Sequence, residues 1–61
     1  MTTKEIILKA IQDKHISETD LMMAPAGCFF ISCKEDLDKL SETTLKNVLE
    51  YLRGLFVHPK F

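Results

Sequence analysis

The strongest constraint on this chain lies near its C-terminal end, in the stretch 41–56, SETTLKNVLEYLRGLF. Leu45, Val48, Leu49, Leu52, Leu55 and Phe56 recur at i, i+3, i+4, i+7, i+10 and i+11, which places them on one stripe of a helix. Lys46, Asn47, Glu50, Arg53 and Gly54 fall outside that stripe. Ser41 is a favoured N-cap, Glu42 suits the positive end of the helix dipole, and Pro59 lies just beyond the last apolar position. The pattern predicts a long amphipathic helix over 41–56, with Gly54 on its wet side for no local reason. Ordering such a segment costs more than burying one stripe returns, so the helix requires a partner surface from this chain or from another copy.

What can cover it is bounded by length. Sixty-one residues make one domain, 1–61, and a chain of this size has a marginal core. Its hydrophobic content of 46% is that of a globular protein and excludes a disordered one. A marginal core with a long apolar stripe favours self-association, because a dimer enlarges the core.

Upstream, Thr2 and Glu5 have the spacing of a capping box, and the sequence predicts a first helix over about 3–14. Ile6, Ile7, Ala10 and Ile11 share a face that Leu8 widens, an arc broad enough to need two covering elements or a second chain. Residues 15–32 read in two ways. In the helical reading Ser17 is a cap, Glu18, Thr19 and Asp20 form an acidic first turn, Ile16 staples onto Leu21, and Pro25 ends the helix after scarcely two turns. In the other, Pro25-Ala26-Gly27 is a type I turn closed by a G1 bulge, with Gly27 where φ must be positive. Met23 then faces Phe29, Met22 faces Phe30 and Leu21 faces Ile31, and Cys28-Phe29-Phe30-Ile31 is a strand-like run. Turn chemistry is the more specific signal and favours the hairpin. Ser32 with Glu35 again has capping-box form and opens a short helix over 34–40, with Cys33, Leu37 and Leu40 on one side. The expected fold is therefore α+β: N-terminal helix, β-hairpin, short helix, long C-terminal helix. The alternative is an all-α bundle of three to four short helices.

The sequence offers little chemistry. Cys28, Cys33, His15 and His58 are potential zinc ligands, but the cysteines are five apart and neither pair has the spacing of a metal site. Cys33 in the first turn of a helix would have a lowered thiol pKa, yet no resolving cysteine stands at the usual spacing. Ser17, Ser32 and Ser41 are explained as caps or strand ends, and Glu35, Asp36, Asp38 and Glu42 as a solvated face. Two isolated glycines make no phosphate cradle. No catalytic residue, metal or cofactor is assigned, and the chain reads as non-enzymatic.

Net charge is −1 with both signs mixed, which gives no nucleic-acid or anionic-membrane footprint. A winged helix would carry Pro25-Ala26-Gly27 at its wing, without a Lys or Arg for phosphate. A helix-turn-helix with Gly27 as turn residue would present Glu35, Asp36 and Asp38 to DNA, the wrong sign. A small DNA-binding regulator is thus the second reading. No apolar run reaches membrane-spanning length, the N-terminus has no signal-peptide character, and two cysteines without a leader point to the cytoplasm. The first reading is a small cytoplasmic accessory or regulatory protein that binds another protein and self-associates. Leu8, Met22, Phe30, Leu52, Leu55 and Phe56 are the expected interaction residues, because they are more apolar surface than so short a chain can hide.

Overall fold

The structure, a computed structural model, describes residues 1–27 and 30–61. It contains helices α1 (Thr3–Gln12), α2 (Glu18–Met22) and α3 (Glu42–Gly54), with a 3-10 helix over Lys34–Lys39 between the last two. Of the described residues 58% are helical and none is in a strand, so the expected α+β fold with a β-hairpin is corrected to a small helical globule. Leu21 and Met22, assigned to the first arm of that hairpin, belong to α2, and Phe30 and Ile31 in its second arm are not in a strand. The pairings assigned to Cys28 and Phe29 lie outside the described residues.

Capping chemistry sets where each helix starts. Thr2 and Glu5 form the expected capping box at α1, and Ser41 accepts from the Thr44 N–H at 3.3 Å to open α3. At α2 the Asp20 carboxylate accepts from the Ser17 N–H at 3.0 Å, and Ile16 and Leu21 are both buried. That cap, with the helical propensity of Leu21 and Met22, outweighs the turn signal at Pro25-Ala26-Gly27. Gly27 does hold φ +66, as the turn chemistry required, but the turn follows a helix. The 3-10 helix is capped one residue later than its sequence suggests. Asp36, rather than Glu35, receives the Ser32 N–H at 2.7 Å and the Cys33 N–H at 3.3 Å.

The end of α1 is less legible. The His15 N–H donates to Ala10 O at 2.9 Å and the Lys14 N–H to Ile11 O at 3.0 Å, a Schellman motif that closes the helix two residues earlier than the expected limit at Lys14. Its left-handed position is filled by Lys14, at φ 63, where glycine is the usual occupant. The turn redirects the chain so that Ile16 enters the core at 5% exposure.

The core is one cluster. Leu45, Val48, Leu49 and Leu52 of α3 pack with Ile7 and Ala10 of α1, Ile16, Leu21, Ala26, Ile31 and Leu37. Ile6, Leu8 and Ile11 cover its edge, so the broad apolar arc of α1 is largely used within the chain. At the surface Lys4 pairs with Asp38, Thr3 Oγ1 donates to Glu42 Oε1 at 2.7 Å, and the Lys34 N–H donates to Glu18 Oε2 at 3.1 Å. The radius of gyration is 10.3 Å, against about 10.5 Å for a folded domain of this length. From Leu45 to Leu52 the stripe of α3 is covered by its own chain.

Two substitutions test the backbone account in opposite directions. Lys14→Gly relieves a left-handed side-chain penalty and is expected to stabilise the fold by about 1 kcal/mol, raising Tm by about 4–8 °C. Gly27→Ala imposes the same penalty and is expected to destabilise by about 1 kcal/mol. Thermal unfolding followed by circular dichroism reads both.

Candidate interaction surface

The apolar stripe of α3 runs past the point where its helix stops. Gly54 is the last helical residue and Leu55 the C-cap, so Leu55 and Phe56 leave the register that would have buried them. They are 47% and 39% exposed, and Val57, next along, is 89% exposed. Three consecutive apolar side chains are thus partly or largely exposed at one corner. A Cβ at Gly54 would meet nothing within 4 Å, so the adjoining backbone is open as well.

Leu55 and Phe56 line one side of a shallow cleft of about 670 Å³, opposite Ile11, Ile16 and the α1–α2 turn. Its border carries both signs of charge, with Lys14 on the turn and Glu18 and Asp20 at the start of α2. The lining of this cleft thus combines apolar and charged side chains.

The other expected interaction residues are dispersed. Leu52 is fully buried and belongs to the core. Leu8 is half-buried against the core and lines a separate cleft beside Lys4 and Asp38. Met22 is 41% exposed and Phe30 64%, but neither borders the Leu55–Phe56 cleft. Met23 and Val57 are exposed apolar residues that the sequence reading did not select. No periodic signal could have found Val57, because it lies outside every helix.

The groups considered for chemistry are placed as follows. Ser17 and Ser41 are N-caps, and the Ser32 N–H donates to Asp36. Asp38 and Glu42 are engaged by Lys4 and Thr3. Hydrogen bonding from the Ser32 and Cys33 backbone lowers the pKa of Asp36. The 3-10 helix, in the place of a recognition helix, presents Glu35 and Asp38 to solvent. His15 and His58, far apart in sequence, border one hollow beneath the C-terminal tail. Among the described residues no three His, Cys, Asp or Glu side chains group to hold a metal ion, and Cys28 lies outside that set. No helix among the described residues is long and apolar enough to cross a membrane.

Cys33 departs from its expected electrostatics. It precedes the 3-10 helix as N-cap, but hydrogen bonding with the Glu35 carboxylate pushes its thiol pKa up, and desolvation adds to the shift. The same contact lowers the pKa of Glu35. A raised thiol pKa leaves less thiolate at neutral pH and slows nucleophilic reaction. In a Cys28→Ser chain at pH 7.5, Cys33 is therefore expected to react with iodoacetamide more slowly than free cysteine. Glu35→Gln is expected to speed it by removing the carboxylate charge. Both are read as alkylation rates by mass spectrometry.

Comparison of the chain with protein families, with curated proteins and with solved structures finds no match, so its own surface is the guide to what it does.

Proposed function

We propose that this is a small non-catalytic accessory or regulatory protein of the cytoplasm that acts by binding another protein and associates with itself. The observation that carries the reading is the corner formed by Leu55, Phe56 and Val57, apolar and exposed in a chain whose core is otherwise closed. Contiguous apolar surface on a small soluble chain marks a contact site more often than an isolated exposed residue does. Met22, Met23 and Phe30 add exposed side chains of the kinds enriched at protein interfaces.

Size makes self-association economical. A standard interface takes about 800 Å² from each partner, roughly a fifth of the 4154 Å² that this chain exposes. The corner and the adjoining cleft offer an apolar centre for such a contact. The mixed charges of Lys14, Glu18 and Asp20 allow a two-fold related copy to meet opposite signs across it. Because the monomer buries its own core, association would be between folded chains and reversible.

Sedimentation equilibrium between 10 µM and 1 mM, about the range of weak specific complexes, tests this reading. The mass is expected to rise from 7.0 kDa towards twice that value. Leu55→Lys combined with Val57→Lys is expected to weaken association at least about tenfold, a cost of about 1.4 kcal/mol. Lysine suits the negative end of α3, so the double variant should remain folded. A wild-type chain that stays at 7.0 kDa throughout would refute self-association.

A further inference from the structure

Beyond α3 the chain turns back without regular structure, and residues 57–60 are exposed. Phe61 alone returns to the body of the protein, half-buried and packed against the core. Its ring stacks on that of His15, with centroids 6.3 Å apart and planes at 22°. It also meets Phe56 edge-on, at 5.9 Å and 86°. Both arrangements are favourable aromatic geometries. Arg53 Nε donates to the main-chain oxygen of Phe61 at 2.8 Å, which fixes the backbone as well as the ring. Between this anchor and α3 the tail arches over a hollow of about 160 Å³ bordered by His15, Phe56, His58 and Pro59. A second cleft of about 240 Å³ continues from Phe61 along Ile6, Ala10 and Arg53.

Among the described residues the tail is thus held at Phe61, through its ring and its main-chain oxygen. We propose that the seat of Phe61 is a peptide-binding site for an aromatic residue, filled in this molecule by its own tail and open to the tail of a second copy when that tail lifts. His15 and Phe56 supply the faces that recognise the ring, and Arg53 supplies the donor that recognises the adjoining main-chain oxygen. The occupant is identified by the one that is seated: the segment Val57–Phe61. An identical segment from another copy makes identical contacts, which is the basis of exchange between protomers. The inference rests on the self-association reading only for the source of the second tail. The site itself does not depend on it.

The neighbouring contacts set the expected strength. One aromatic anchor and one charge-assisted hydrogen bond make a weak site, and a tethered tail competes at an effective concentration of the order of millimolar. The free peptide should therefore bind poorly while the tail is in place and better once the tail's anchor is removed.

The test uses two 61-residue chains, wild type and Phe61→Ala, and the acetylated, amidated pentapeptide of residues 57–61. Binding is followed by the His15 ring proton signals. Phe61→Ala is expected to bind the peptide with Kd of about 1 mM, and the wild type about twofold more weakly, because its own tail competes at an effective concentration of about the same size. Absence of binding to Phe61→Ala at about ten times that concentration, or equal affinity for both chains, would overturn the proposal. Loss of the fold in Phe61→Ala, seen by circular dichroism, would overturn it too, since a detachable occupant is not a structural keystone. A chain that binds the peptide yet remains monomeric retains the site and rejects self-association, so the two failures are distinct.

Discussion

The packing of Leu45, Val48, Leu49 and Leu52 onto Ile7 and Ala10 is the contact on which the molecule depends. Neither α1 nor α3 is long enough to be stable alone, and α2 and the 3-10 helix are shorter still. Their stability comes from a shared apolar centre, to which Ile16, Leu21, Ala26, Ile31 and Leu37 each contribute from short or irregular segments. The arrangement explains why the two surface tertiary contacts, the Lys4–Asp38 ion pair and the Thr3–Glu42 hydrogen bond, contribute little beside the core. They are exposed, and exposed pairs contribute at most about 1 kcal/mol each.

Function, as proposed, begins where that packing ends. The stripe of α3 is satisfied up to Leu52, the helix stops at Gly54, and Leu55, Phe56 and Val57, which follow, are exposed. Phe56 and Phe61 satisfy each other in part, and His15 lends a ring face to the pair. The same corner therefore holds an exposed apolar surface, the cleft beside the α1–α2 turn, and the seat of the tail. A chain this small has few ways to separate a binding surface from its core. Terminating the helix two residues before the end of its apolar pattern is one of them.

Much of the fold was legible in the sequence, and the failures have physical causes. The starts of α1 and α3 were readable because Thr2, Glu5 and Ser41 act through side chains whose chemistry is specific to that role. Ends were harder. Lys14 adopts the left-handed conformation that closes α1, and lysine carries no signal for it. At α3 the periodicity continued through Leu55 and Phe56 although the helix did not, so residues expected in the stripe emerged at the surface. The hairpin was a different error. Pro25-Ala26-Gly27 reported correctly that the chain turns with Gly27 at positive φ, but turn residues do not specify the element that enters the turn. The Ser17–Asp20 cap and the propensity of Leu21 and Met22 did specify it, and they pointed to a helix. For the interaction surface, Leu55 and Phe56 were identified for their apolarity and found exposed, while Leu52, three to four residues away on the same stripe, is buried because the helix is still intact there.

Residue-resolved amide hydrogen exchange on the dilute 61-residue chain tests the central claim most directly, that the covered stripe ends at Leu52 and leaves an exposed apolar corner beyond it. The account predicts the strongest protection at Val48–Leu52, helical chemical shifts through Gly54 and over Glu18–Met22, and little protection from Val57 to Lys60. Protection continuing through Val57 at the level of Val48, or extended-strand shifts over Leu21–Met23, would contradict it.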